Sequence, residues 1–287
     1  MRRQKRVALI NDVTGFGRCS TAVQLPIISA MGVQCCILPT AILSAHTGYP
    51  TYYFDDYTRH MESYMNNWEE LHVTFDGIST GFLGSKEQIE FVIAFIEKFR
   101  TDDTKIIIDP VMGDDGILYE TYTEEMCEEM KRLVQYADVL TPNVTEACRL
   151  LDLDYFTFEI TEQSLQEISE KLCEKGPNKV IVTGIQYKGQ VLNYFYEQAG
   201  EKGLLGTKKV VDSRPGTGDI FSAVITGAEM LNMPLKEAVD LSAEFIHKGL
   251  LVTEAQKTPK NDGICFESVL GEFILDLKMR KEGKKNE

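Results

Sequence analysis

The chain has 287 residues, with 30 Lys and Arg against 44 Asp and Glu and a formal charge of −14. That length suits one large α/β domain, and 43% apolar with 26% charged residues suits a globular protein. The acidic balance argues against a nucleic-acid backbone or an anionic membrane as partner. No uncharged apolar run reaches the roughly 18 residues that cross a bilayer. Val7 to Ile10 is too short for a signal-peptide core. The cysteines at 19, 35, 36, 127, 148, 173 and 265 are scattered and form no C-x-x-C. They suit reduced thiols in a cytoplasm, not a disulfide framework or a zinc site. The expectation is one cytoplasmic domain over residues 1–287, ending in a polar tail over 281–287.

In chain order, Arg6 to Ile10 reads as a strand. Ser20 is placed to cap a helix that runs through Met31, bent at Pro26. Gly32 ends it, and Val33 to Leu38 is the next strand. Asp76 to Ser79 is a short buried strand. Ser85 and Gln88 form a capping box for a helix over Lys86 to Phe99. Its Ile89, Val92, Ile93 and Ile96 recur on one face. Lys105 to Asp109 is a β-branched strand that ends in an acid. A helix follows near Thr123 to Gln135, then a strand at Ala137 to Thr141. Further helices are predicted from Asn143 and over Glu162 to Glu174. Strands follow at Lys179 to Thr183 and Val191 to Tyr196. Gly218 to Leu231 and Leu235 to Val252 are the last two helices. Apolar strands that alternate with helices indicate a parallel sheet covered on both faces.

Ligands of such sheets bind beyond the carboxyl ends of the strands. The residues found there are Asn11-Asp12, Thr80 to Gly84, Asp109 to Asp114, Thr141 to Glu146, Thr183-Gly184 and Arg214 to Asp219. Gly216-Thr217-Gly218-Asp219 stands at a helical onset. Such a turn leaves N–H groups bare for a phosphate, and its acid could take a proton from an attacking hydroxyl. The same four residues could equally make a turn with a charged helix start. Asp109, Asp114, Asn143 and Glu146 are hard oxygen donors of the kind that hold Mg²⁺. Asn143 and Glu146 also have the spacing of a plain helix cap. No Walker P-loop, no kinase H-R-D with D-F-G and no G-x-S-x-G is present. Gly15-Phe16-Gly17 lacks the third glycine of a dinucleotide fingerprint. Cys19 reads as a small buried hydrophobe rather than a nucleophile.

Taken together the motifs resemble the ribokinase-like superfamily and, within it, the pyridoxal (vitamin B6) kinases. The resemblance covers roughly Arg6 to Val252. Gly216 to Asp219 is similar to that family's anion-hole turn, and Asp109-Pro110-Val111-Met112-Gly113-Asp114 to a segment shared with hydroxymethylpyrimidine kinases. Thr141-Pro142-Asn143 with Glu146 is similar to its T-P-N-x-x-E element. Thr80 to Ser85 resembles T/S-G-Y-L-G-S. Ser44-Ala45-His46-Thr47-Gly48-Tyr49 resembles the S-N-H-T-x-Y stretch that marks pyridoxal kinases.

The resemblance implies an α/β/α three-layer sandwich with a mostly parallel central sheet. It implies ATP-dependent phosphorylation of the 5′-hydroxymethyl group of a B6 vitamer. Asp219 would be the base, and the N–H groups of Gly216, Thr217 and Gly218 would hold the γ-phosphate. Asp109, Asp114, Asn143 and Glu146 would place Mg²⁺, with room for a monovalent cation such as K⁺. Thr141, Asn143, Thr183, Gly184 and Arg214 would line the ATP. Asp12, His46, Thr47, Phe82 and Val111 would meet the vitamer, and residues 46 to 57 would form a flap. A homodimer is implied, with the aromatic segment from Tyr49 to Tyr57 near its interface. Asp12 replaces a serine of many pyridoxal kinases, and Phe82 replaces a tyrosine. The neighbouring readings are a hydroxymethylpyrimidine kinase and a non-catalytic B6-binding protein.

Overall fold

The computed structural model describes residues 3–283. The chain opens with β1 (Arg6–Thr14), α1 (Ser20–Ala30), β2 (Gln34–Leu43), β3 (Phe54–Asp56) and α2 (Thr58–Glu70). Next come β4 (Gly77–Thr80), α3 (Lys86–Phe99), β5 (Lys105–Ile108), β6 (Gly113–Asp114), β7 (Ile117–Leu118) and α4 (Glu124–Val134). They are followed by β8 (Val139–Leu140), α5 (Val144–Leu150), α6 (Glu162–Cys173), β9 (Lys179–Tyr187), β10 (Gln190–Glu197) and β11 (Lys202–Lys208). The last helices are α7 (Thr217–Met230), α8 (Leu235–Ala255) and α9 (Leu270–Gly283).

A nine-stranded sheet runs in the order β11-β10-β9-β8-β5-β4-β1-β2-β3. From β9 through β2 neighbouring strands are parallel. β10 and β11 extend one edge antiparallel, and β3 closes the other. The pleat explains why these strands are apolar throughout. Val7, Ile107, Val139 and Ile181 point to one face, where they meet residues of α1, α7, α8 and α9. Ala8, Ile10, Ile106, Ile108, Val180 and Val182 point to the other and meet α2 to α6. Alternate side chains thus serve two cores, and helices cover both faces. This is the expected three-layer sandwich.

Local details follow the caps. Ser85 accepts the Gln88 N–H at the start of α3. α1 departs from expectation: the cap position falls on Cys19, and no side chain caps it. Ser20 instead has φ +54°. Of the polar tail expected over 281–287, residues 281–283 continue α9, and 284–287 lie outside the described residues.

Candidate active site

After β1 the chain steps to β2 on one side and then back to β4 on the other. That reversal opens a crevice at the carboxyl ends of β1 and β4. Asn11 fills its floor. Its Oδ1 accepts the N–H groups of Asp12 and Phe82, each within 2.9 Å. Its Nδ2 donates to Gln24 Oε1 at 2.8 Å and lies 3.4 Å from Asp219 Oδ1. A Cβ on Gly81 would stand 2.5 Å from the Asn11 amide, so glycine is required there. Beside it the β1–β2 register slips between Asn11 and Val13, a bulge of the kind that re-aims side chains. Asp12 sits at the slip, 4% exposed. The Thr14 hydroxyl donates to its carboxylate at 2.6 Å. Burial raises the Asp12 pKa, and the Ser20 and Thr14 hydroxyls counter that in part.

α7 points its N-terminus into the same crevice. Gly216 takes φ +82°, and a Cβ there would lie 1.9 Å from the Arg18 carbonyl oxygen. The fold therefore demands glycine at 216. Gly218 is different: its φ is ordinary, and an added Cβ would meet nothing within 4 Å. The fold places no demand on it, yet its missing side chain leaves the helix N-terminus open to an anion. Asp219 sits in the first turn, half-buried. Burial pushes its pKa up to about 6; Asp12 adds to the rise, while the Ser20 N–H and Asn11 oppose it. A carboxyl near 6 is poised to take a proton at neutral pH.

A second group lies beyond β5 and β8. Asn143 and Glu146 cap α5 reciprocally: Asn143 Oδ1 accepts the Glu146 N–H, and Glu146 Oε2 accepts the Asn143 N–H. Glu146 Oε1 also accepts the Met112 N–H, and Asn143 Nδ2 donates to the Gly113 carbonyl. Asp109 is buried beside them. Burial, then Glu146, then Asp219 hold its carboxyl well above the usual range, and no hydrogen bond offsets the rise. Asp114 is exposed in the β6–β7 hairpin, where it accepts the Asp115 N–H. Thr141 and Thr183 adjoin this group: the Thr183 N–H donates to the Pro142 carbonyl, and Asn143 bridges to Thr183. Gly184, at φ +71°, is exposed next to Thr183.

The remaining expected site residues are spread along the rim. Phe82 and Val111 are half-buried at the ends of β4 and β5. The Phe82 carbonyl accepts the Thr40 hydroxyl at 2.9 Å. Thr47 is exposed and His46 half-buried, on the loop after β2. His46 Nε2 bonds the Asn261 carbonyl at 2.7 Å, and its Nδ1 accepts the Gly48 N–H. Arg214 donates to the Thr258 and Pro259 carbonyls, both at 3.0 Å. Cys19 is buried near Asp219, and burial, Asp219 and Asp12 push its thiol up to about 12. It stays a neutral thiol, unsuited to nucleophilic attack. Several residues escape a reading of motifs: Asn11 as a fixed amide, Ser20, Gln24, Arg18, Asn261 and Asp262. Most of them have a partner far away in sequence; Asn11 and Asp219 are 208 positions apart.

The phosphomethylpyrimidine kinase family model matches residues 25–263. A pyridoxal-bound structure from Bacteroides thetaiotaomicron, assigned to the phosphomethylpyrimidine kinases, is 40% identical with a TM-score of 0.90. That likeness covers 94% of this chain and 96% of the other. Pyridoxal kinase from Lactobacillus plantarum superposes with a TM-score of 0.88 at 26% identity, covering 97% and 99%. The pyridoxine/pyridoxal/pyridoxamine kinase of Bordetella avium is 28% identical over 263 residues, 86% of this chain and 85% of that protein. The chain belongs to the phosphomethylpyrimidine kinase family and is a phosphotransferase of ribokinase-like fold.

Proposed function

We propose that the enzyme transfers the γ-phosphoryl group of ATP to the 5′-hydroxymethyl oxygen of pyridoxal, pyridoxine or pyridoxamine. The observation that carries this is Asp219, held at the start of α7 and facing the β1–β4 crevice beside an open N-terminal turn. Asp219 takes the proton of the acceptor hydroxyl as its oxygen attacks phosphorus. The N–H groups of Gly216, Thr217 and Gly218 receive the charge that develops on the transferring group. Phosphoryl transfer asks little else of a protein beyond positioning. The names of the Bordetella and Lactobacillus relatives, and the pyridoxal in the Bacteroides structure, support a B6 vitamer as acceptor.

The donor chemistry fits Mg²⁺. Asp109 is buried, and among the described residues no hydrogen bond lowers its raised pKa, so its charged form is costly without a cation. Among the described residues no group of three or more His, Cys, Asp or Glu forms a metal cage. Mg²⁺ needs none, since it takes one or two carboxylates and completes its shell with water and phosphates. Asp109 would hold it, with Glu146 and Asn143 behind and Asp114 at the hairpin. When bound, the ion neutralises phosphate charge. Thr141, Thr183, Gly184 and Arg214 would border the nucleotide. Asp12, His46, Thr47, Phe82 and Val111 would border the vitamer.

A homodimer in the cytoplasm completes the proposal. β3 is a three-residue edge strand; its Phe54 and the preceding Tyr52 and Tyr53 are exposed, which suits a subunit contact. All the cysteines are free. Among the described residues no helix is long and apolar enough to cross a membrane.

The test is an ADP-coupled assay with Mg²⁺ and K⁺. It compares pyridoxal, pyridoxine, pyridoxamine and hydroxymethylpyrimidine as acceptors. A B6 vitamer should be the best of them, and Asp219→Asn should cut kcat by about two to four decades. If hydroxymethylpyrimidine wins, the acceptor moves to thiamine chemistry. ATP turnover that no acceptor stimulates would favour a binding protein.

A further inference from the structure

We infer that the segment from Thr258 to Gly263 is a strap that fixes the acceptor loop against the anion-binding turn, with Asn261 and Asp262 as positioning residues. This rests on the phosphotransfer reading above, which places the acceptor near His46 and the phosphate at Gly216 to Gly218.

The strap contacts two loops that lie far apart in sequence, the loop after β2 and the turn before α7. On one side is the loop after β2. His46 Nε2 bonds the Asn261 carbonyl at 2.7 Å, and Asn261 Nδ2 donates to the Gly48 carbonyl at 2.6 Å. The Tyr49 hydroxyl donates to Asp262 Oδ1 at 2.7 Å. On the other side is the turn before α7, where the Arg214 guanidinium holds the Thr258 and Pro259 carbonyls. Arg18 ties the middle. Its Nη1 donates to the Asp262 carbonyl at 3.1 Å, and its own carbonyl packs against Gly216.

Two features mark this as more than incidental loop packing. Every carbonyl from Thr258 to Asp262 has a donor, with Lys260 and Pro259 taking the N–H groups of Gly263 and Asp262. An exposed connection would leave most of its carbonyls to water. The contacts are also sterically closed. A Cβ on Gly17 would meet His46 at 2.6 Å, one on Gly48 would meet it at 2.9 Å, and one on Gly263 would meet Arg18 at 2.8 Å. His46 is fixed as the tautomer that donates from Nε2, because its Nδ1 accepts from Gly48. Phe16 and His46 pack on the Tyr49 ring from 5.4 and 4.7 Å.

The chemical consequence concerns water. Transfer to an alcohol requires the acceptor oxygen, and not water, beside the γ-phosphorus. A strap that holds both loops sets that distance and closes the rim. Loosening it should let both loops move together and let water compete.

The test uses the full-length protein and two variants, Asn261→Ala and Tyr49→Phe, the second removing one hydroxyl only. Amide hydrogen exchange is followed by mass spectrometry over residues 46–49 and 214–219. Loss of one hydrogen bond of this kind should raise exchange about tenfold. The strap requires the rise in both segments, although the mutations touch only one. The same proteins are assayed for ADP formed per pyridoxal phosphorylated. Wild type should give one ADP per acceptor, and the variants should give more, with a vitamer KM raised about tenfold and an ATP KM little changed. Exchange that rises only over 46–49, with a one-to-one ratio retained, would overturn the strap. Should wild type phosphorylate no B6 acceptor, the functional reading fails, and the exchange pattern alone still decides the strap. Far-ultraviolet circular dichroism and a thermal melt confirm that both variants are folded.

Discussion

Asn11 Nδ2 lies 3.4 Å from Asp219 Oδ1, while the other end of the same amide accepts the Asp12 and Phe82 N–H groups. One side chain thus links β1, the end of β4 and the start of α7. It orients the carboxylate and gives it a donor that favours its charged form. Asn11→Ala should lower kcat by about tenfold to a hundredfold, the cost of a misplaced reacting group. It should also destabilise the fold by about 1–3 kcal/mol, because buried N–H groups lose their acceptor. Steady-state kinetics and a thermal melt separate the two effects. A lowered Tm with unchanged kcat would leave Asn11 a purely structural role.

The two glycines of the turn should behave oppositely. Gly216→Ala forces a Cβ to 1.9 Å from the Arg18 carbonyl at a positive φ, so the protein should melt far below wild type or fail to fold. Gly218→Ala meets nothing and gains helix propensity of up to about 1 kcal/mol. Its Tm should match or exceed that of wild type. Its kcat should nevertheless fall, by about a hundredfold if the methyl group keeps the anion off the N–H donors. Full activity in Gly218→Ala would remove the turn from the mechanism.

Asp219 carries a pH signature. Its pKa stands near 6 in the folded protein, above the 3.8 of the free side chain. As the proposed base, Asp219 must be ionised to act, so kcat/KM should fall below about pH 6. The stability effect has the opposite sign. Between the two values the unfolded chain has released its proton and the native protein has kept it, so stability declines as pH rises through that window. Above pH 6 the ionised carboxylate is a net cost. Asp219→Asn, although expected to be slow, should therefore be more stable at pH 7.5, on the order of 1–3 kcal/mol, and the gain should vanish near pH 4. A melt series across pH reads this directly.

The central sheet was readable because its strands are buried on both faces. Val7 to Ile10, Ile106 to Ile108 and Val180 to Val182 have no polar interruption, and their periodicity with the intervening helices leaves few topologies. What escaped was locally weak. α2 carries only Met61 and Met65 as a buried stripe in a polar helix, and β11 contains two glycines in seven residues. α9 ends in the charged stretch that composition alone marks as a tail. β1 runs past its expected end at Ile10, because Asn11 and Asp12 look like a turn in sequence while Phe82 supplies the partner for Asn11. The chemistry at the strand ends was visible as residue types. The bonds that join them were not, because His46 meets Asn261 across 215 positions and no local pattern encodes that pairing.

Asp12 offers a test of the field at the base. Groups from several elements surround it: Thr14 on β1, Ser20 and Cys19 at the start of α1, His46 on the loop after β2, and Asp219 on α7. Its negative charge is one cause of the raised Asp219 pKa, after burial. Asp12→Asn keeps the shape and removes the charge, so the acidic limb of kcat/KM should move to lower pH. The same change takes a carboxylate from the floor where a cationic ring or amine would rest. KM for pyridoxamine should therefore rise more than KM for pyridoxine if the carboxylate faces the aminomethyl group, and equally if it faces the ring nitrogen. A limb that stays in place would show that Asp12 is already neutral beside Asp219, and the rise in the Asp219 pKa would then belong to burial alone.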